Sequence, residues 1–263
     1  MTALYFGDSG SALLGMWSQP PDGLDRAHGV VLCPPIAQEH VRSHWALRQL
    51  AAALCRSGFH CLRFDWFGVG DSAGELRDAT IARWTSDLAD AVRELRDTAG
   101  IERVSLVGLR VGASVIALAS SELRPSAIVL WDPIVHGRDY LAGLGELTRR
   151  LLSDPMRYWN VAPRRPRAGE LVGFDFGDRL IGELAGIDLL AGRFPHAPLC
   201  LVRSFDDAGL ATLGARLRTR HRDVEIHDAA LRARWMSPDA VEQLLLPGDA
   251  LRSVAEFLET HAA

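Results

Sequence analysis

Two hydrophobic rhythms alternate along the chain. Short apolar runs bounded by turn residues predict strands at 4–6, 13–17, 29–33, 59–64, 104–107, 127–131, 198–202 and 224–227. Between them lie stretches in which apolar residues return every three or four positions. These predict helices over about 41–56, 82–98, 112–120, 208–218 and 249–261. In the first helix Leu47, Leu50, Ala51 and Leu54 fall on one face, and Gly58 is placed to end it. In the second, Trp84, Leu88, Ala91, Val92 and Leu95 do the same. Strands that alternate with helices of this length predict an α/β architecture: a twisted, mostly parallel eight-stranded sheet with helices on both faces.

The rhythm breaks once. Residues 135–195 hold short amphipathic pieces, prolines and nine arginines. An irregular insertion between two regular halves predicts a core built from 1–134 and 196–263, with 135–195 forming a lid over the C-terminal ends of the strands. That edge is where open α/β sheets bind ligands. The chain shows no internal repeat and no low-complexity tract.

Composition narrows the chemistry. Formal charge is -4 over 263 residues, without the clustered cationic excess that phosphate backbones demand, so a nucleic-acid partner is not expected. Every basic residue except histidine is arginine. Schiff-base and lysine-base mechanisms are therefore excluded. Cys33, Cys55, Cys61 and Cys200 sit in apolar runs without C-x-x-C spacing, which predicts buried thiols in a reducing compartment. No apolar run approaches the roughly 20 residues of a membrane helix, and the first residues lack a signal-peptide pattern. The expectation is a cytoplasmic protein without a membrane partner. Neither a metal nor another cofactor is expected, the nine histidines being read as scattered.

The most informative segment is SLVGLRVGAS, 105–114. A strand enters a tight turn there and a helix leaves it, with Gly108 and Gly112 flanking Arg110 as G-x-R-x-G. The same frame with serine at its centre, G-x-S-x-G, is the nucleophile elbow of the α/β-hydrolases. Together with the run 33–75, which includes CPPIAQEH and DWFGVGDSAG, and with WDPIVHGRDYL (131–141) and RSFDD (203–207), it makes the chain resemble a serine-aminopeptidase-like branch of that superfamily. The resemblance is strongest to exosortase-system-associated hydrolase-like proteins and to relatives near natural-product gene clusters, which often carry arginine at the elbow. It covers most of the chain and weakens over the last 40 residues.

Carried over residue by residue, the resemblance places an oxyanion hole at the backbone N–H groups of Val111 and of Ile36 or Ala37. It puts an acid at Asp206 or Asp207, or alternatively at Asp132. The loop expected to carry the base histidine, 228–249, contains none, and His227 serves only if its strand ends early. Arg110 stays protonated and is a poor nucleophile, but a good planar donor to carboxylates and oxyanions. Buried, it needs a counter-charge or an anionic ligand. Glu39, Asp132, Asp206 and Asp207 are the candidates. Gln38, Glu39 and His40, with Arg42, Ser43 and His44 close behind, are read either as a polar wall facing Arg110, with Glu39 or His40 as acid or base, or as a helix N-terminus. Asp65, Asp71 and Ser72 in the glycine-rich loop are read as turn and capping residues. His136, Tyr140 and Trp159 are placed as substrate-binding, with surface or packing roles as the alternative. Tyr158 shares that reading. Arg164, Arg165 and Arg167 form a basic turn, either solvated or facing an acidic carrier protein.

Three functions follow. The leading one is a non-hydrolytic tailoring enzyme of a bacterial biosynthetic pathway, catalysing elimination, isomerisation or cyclisation of a carbonyl-bearing small molecule, anionic or carrier-bound. The others are an inactive pseudo-hydrolase that binds a ligand or protein, and a hydrolase of an ester or amide that uses base-activated water. An oligomer is compatible with each.

Overall fold

The computed structural model describes residues 1–154, 165–194, 196–221, 223–229, 234–241 and 243–261; the side chains of 120–122 are outside the description. The predicted strands form one eight-stranded sheet. They are β1 (Thr2–Phe6), β2 (Leu13–Ser18), β3 (His28–Cys33), β4 (His60–Phe64), β5 (Arg103–Leu109), β6 (Ile128–Trp131), β9 (Leu199–Arg203) and β10 (Val224–Asp228). Their order is β1-β2-β4-β3-β5-β6-β9-β10. Only β1 and β2 run antiparallel to their neighbours; every other pairing is parallel.

Strand period 2 sends neighbouring residues to opposite faces. Val31, Leu62, Leu106, Leu130 and Leu201 join one core cluster. Val30, Cys61, Val107, Val129 and Cys200 join the other. On the first face pack α2 (Ile81–Ala99), α3 (Val111–Leu123) and α6 (Ala208–Arg220), through Trp84, Leu88, Val115 and Leu213. On the second pack α1 (Ala37–Arg56) and α7 (Gly248–His261), through Leu47, Leu50, Leu54, Val254 and Phe257. Local chemistry sets the ends of α2. The Thr80 hydroxyl accepts from the Arg83 N–H at 2.9 Å, and Gly100 closes the helix in the left-handed region at φ 66°.

Helix α1 begins at Ala37, four residues before the apolar periodicity becomes visible. Its first turn buries the polar residues Gln38 and Glu39, so no hydrophobic signal marks it. Between β6 and β9 the chain forms α4 (Gly137–Ser153), a two-stranded hairpin of β7 (Glu170–Leu171) and β8 (Phe174–Asp175), and α5 (Asp178–Ala185). Tyr140, Leu144, Phe176, Leu180 and Leu184 of this segment belong to the first core cluster. All four cysteines are free and buried. No helix among the described residues is long and apolar enough to cross a membrane.

Candidate functional site

The turn between β5 and α3 has the geometry its glycines predict. Arg110 sits at φ 55°, ψ −121°, a conformation costly for a residue with a Cβ. A Cβ at Gly108 would lie 2.5 Å from the Ala113 backbone, and one at Gly112 2.4 Å from the Cys33 carbonyl. Only glycine lets strand, helix and the loop after β3 approach this closely. The Arg110 N–H donates to the Trp131 carbonyl at 2.9 Å, which fixes the turn against β6. Two other non-glycine residues at the same sheet edge have positive φ: Ala37 (52°) and Asp132 (44°).

The Arg110 side chain is 4% exposed. Its Nε donates to Glu39 Oε1 at 3.0 Å, and Nη1 donates to the Asp132 carbonyl at 3.2 Å. Its guanidinium carbon lies 5.2 Å from the Trp235 ring centroid, 5.6 Å from that of Tyr140 and 5.7 Å from that of Phe205. Each ring face adds on the order of 1–2 kcal/mol of cation–π attraction in a desolvated setting. The Tyr140 hydroxyl donates to Glu39 Oε2 at 3.3 Å. Burial pushes the Glu39 pKa above the usual carboxylate range, outweighing Arg110 and Tyr140. Burial beside the Glu39 carboxylate also raises the Tyr140 phenol well above its usual value.

The Asp132 carboxylate is saturated from the other side. Oδ1 accepts from the Ser204 N–H at 2.8 Å. Oδ2 accepts from the Ser204 hydroxyl and, at 2.9 Å, from the Trp235 indole N–H. Its pKa is raised, again because burial outweighs these donors. Trp235 therefore links Asp132 to Arg110, through its N–H on one and its ring on the other. The Arg42 guanidinium reaches the same ring at 5.4 Å and donates to the carbonyls of Gln243 and Arg234, which holds the loop after β10 in place.

Above Arg110 opens a cavity of about 250 Å³, with Ile134, Val135, Tyr140, Phe205 and Met236 among its walls and His136 and Asp207 at its edge. Of the residues predicted for the site, Arg110, Glu39, Tyr140 and Asp132 are brought together. Asp132 takes part through its carbonyl, while its carboxylate points to Ser204 and Trp235. His136 is 39% exposed, and its Nδ1 lies 3.6 Å from Asp188. Asp207 lines the cavity but caps α6, accepting from the Leu210 N–H at 2.8 Å. Asp206 is exposed beside it. Ile36 and Val111 are fully buried where the elbow meets the loop after β3.

His40 does not face Arg110. One residue on from Glu39, it is turned to the other side of α1, and its Nε2 lies 3.1 Å from Asp65 Oδ1. His40 and His44 also form an H-x-x-x-H pair, a spacing that the reading of scattered histidines passes over. Their rings meet edge-on with centroids 6.3 Å apart. Among the described residues no group of three or more His, Cys, Asp or Glu gathers as a metal site. His227 lies inside β10, which continues to Asp228, and its Nε2 is 2.8 Å from Glu225. Asp65, Asp71 and Ser72 do act as turn residues: Asp65 Oδ2 accepts from the Asp71 N–H, and Ser72 bridges the Asp65 carbonyl and the Leu14 N–H. Trp159, Tyr158 and Arg164 lie outside the described residues, while Arg165 and Arg167 are exposed.

Sequence reasoning misses Trp235, Ser204 and Phe205. Trp235 has a signal. It lies in the 228–249 loop, where the resemblance expects a histidine and the sequence offers a tryptophan. Ser204 and Phe205 sit inside RSFDD, beside the acids that carry the more obvious chemistry.

Similarity to known proteins agrees with this frame. Over 88 residues, 33% of the chain, it is 34% identical to human mitochondrial palmitoyl-protein thioesterase ABHD10. The aligned segment spans only 27% of that protein's length. Among solved structures, Est1E from Butyrivibrio proteoclasticus with bound ferulic acid superposes with a TM-score of 0.69 at 16% identity, covering 99% of both chains. The Pyrococcus furiosus esterase Pf2001 gives 0.68 at 18% identity, over 100% of this chain and 91% of that one. Mouse alpha/beta hydrolase domain-containing protein 10 gives 0.62 at 16%, covering 99% of both chains. At these identities the structural likeness speaks for the fold. The family described as serine aminopeptidase, S33, matches residues 27–172, more than half of the chain, and this protein belongs to that α/β-hydrolase family.

Proposed function

We propose that this chain uses the hydrolase fold to bind a small carbonyl-bearing or anionic molecule over Arg110, without forming an acyl-enzyme. The observation that carries this reading is the Arg110–Trp235–Asp132 arrangement. Where acyl transfer needs a nucleophile, a base and an orienting acid, the chain offers a guanidinium, an indole N–H and a carboxylate already filled by three donors. The first has no lone pair with which to attack, and the second only donates. The Arg110 Nη2 makes no hydrogen bond to a described residue, and Arg110 lines the cavity. A carboxylate or enolate oxygen entering there would accept from it.

A second reading, the tailoring enzyme, has one observation in its favour. Glu39 is a buried carboxylate whose pKa is raised, in contact with both Arg110 and Tyr140 beside the cavity. A raised proton affinity is the direction of tuning that suits a proton-transferring carboxylate. Elimination, isomerisation or cyclisation requires such a group and no covalent serine. The resemblance to proteins near natural-product gene clusters supports the same reading.

The test has two arms. A fluorophosphonate probe should leave the protein unlabelled, and p-nitrophenyl acetate should give no acyl-enzyme burst. Benzoate should shift the Met236 methyl resonance in protein labelled at methionine methyls, with at least tenfold weaker binding in Arg110→Gln. Strong labelling, or benzoate binding unchanged in that variant, would sink the proposal.

A further inference from the structure

The same turn of α1 that sends Glu39 toward Arg110 sends His40 to the opposite side, where a second cavity of about 230 Å³ lies between α1 and the sheet. Strand register builds its floor. Met16 of β2 and Leu32 of β3 both pair with Arg63 of β4, so the three form a row across the sheet. One stripe of α1, His40, His44, Leu47 and Arg48, closes it from above. None of its lining residues lines the Arg110 cavity.

Arg63 is the anomaly. It is 8% exposed, yet no carboxylate among the described residues lies within ion-pair distance. Its Nε has no hydrogen-bond partner. Its recorded acceptor is the Met1 thioether, at 3.7 Å from Nη2, and sulfur is a weak acceptor. The nearest acid, Asp65, is engaged by His40 and by the Asp71 N–H. Arg48 stands at the rim and repels Arg63, while the Asp65 carboxylate attracts it only from beyond ion-pair distance. The remaining acid at the mouth, Asp71, makes no ion pair with Arg63 or Arg48. A guanidinium held this deep without a direct ion pair is costly, and Leu14, Met16, Leu32, Leu47 and Phe64 put apolar surface beside it.

We infer that this cavity is a binding site for a small carboxylate with an apolar body, its carboxylate on Arg63 and its body against the β2–β4–β3 floor. A cavity of about 150 Å³ holds a benzene-sized ligand, so this one suits a monocyclic or short-chain acid. The inference is independent of the reading of the Arg110 cavity.

Methionine methyl resonances separate the two sites. Met1 and Met16 line this cavity and Met236 lines the other. Titrating methionine-methyl-labelled protein with phenylacetate should give a saturable shift at Met16 and Met1. The neutral isostere 2-phenylethanol should bind at least tenfold more weakly at the same reporters. Arg63→Leu, which removes a charge and keeps an apolar side chain, should weaken phenylacetate at least tenfold. Arg63→Gln provides a second variant with a polar head. A response confined to Met236, equal affinity for acid and alcohol, no saturable shift at Met16, or phenylacetate affinity retained in both Arg63 variants would each overturn the inference.

Discussion

Two arginines are buried against the same helix, and they are treated in opposite ways. Arg110 has a carboxylate, a carbonyl and three aromatic faces around it. Arg63 has a thioether, a neighbouring cation and an empty Nε. A buried charge is tolerated when its surroundings replace what water supplied. At Arg110 the protein itself does so for Nε and Nη1, which leaves Nη2 to meet a ligand. At Arg63 it does so only from a distance, through Asp65, and a direct counter-charge has to come from outside the chain. Similar burial thus conceals different degrees of internal compensation, and the partner inventory is what tells them apart.

The sharpest way to break this comparison is to remove a partner from one arginine and the charge from the other. Glu39→Ala leaves Arg110 buried with no counter-ion and should cost about 3–5 kcal/mol in chemical denaturation. Arg63→Leu removes a charge that no direct ion pair offsets and should leave stability within about 1 kcal/mol of the parent, or raise it. The paired change Glu39→Leu with Arg110→Met should recover much of the Glu39→Ala loss, because the two groups act as one unit. A Glu39→Ala variant as stable as the parent would place Arg110 in water and dissolve the distinction.

A smaller effect separates the ring of Trp235 from its N–H. Trp235→Phe keeps an aromatic face for Arg110 and Arg42 but takes a donor from the buried Asp132. The expected loss is about 2 kcal/mol by denaturation, the cost of an unsatisfied buried acceptor and a smaller ring. Trp235→His restores a donor to Asp132 and should lie between the two. If Trp235→Phe is neutral, Ser204 alone suffices for Asp132 and the indole is only a packing group.

How far the sequence reveals this arrangement depends on the kind of signal each part carries. The eight strands and flanking helices are legible because burial imposes period 2 on strands and period 3.6 on helices, and Gly108 and Gly112 announce the elbow through backbone crowding that no other residue allows. Arg110 with Glu39 is legible from charge balance, since a guanidinium at the elbow requires an acid and few stand near it in the fold. The direction of His40 is not, because one residue of helix rotates a side chain by about 100°, and His40 and Glu39 are adjacent. Trp235 is invisible to a search for catalytic types, as it serves through its ring and its N–H without changing protonation. Arg63 alternates as a core residue should, and its lack of a direct ion pair exists only in three dimensions.

The smallest expected effect is a slope. Glu39 has a folded-state pKa above its ordinary value because burial outweighs Arg110 and Tyr140, and Asp132 behaves alike because burial outweighs Ser204, Arg110 and Trp235. In the window between each ordinary value and the raised folded value, the native state holds more protons than the unfolded chain. Stability therefore falls as pH rises through that window, and is recovered as pH drops toward the ordinary carboxylate value. Asp65 has the opposite sign. His40 and the Asp71 N–H hold its pKa below the ordinary 3.8, so its contribution is present above that value and lost only in stronger acid. The two windows do not overlap, which makes the assignment testable. Glu39→Gln, measured by denaturation at a series of pH values above about 4.5, should reduce the slope, leaving the Asp132 share and the acid limb to which Asp65 contributes in place. An unchanged slope in that variant would mean that Arg110 holds Glu39 ionised as readily inside the fold as water does outside it. Arg110 would then compensate the Glu39 carboxylate fully, and the raised proton affinity on which the tailoring reading depends would be absent.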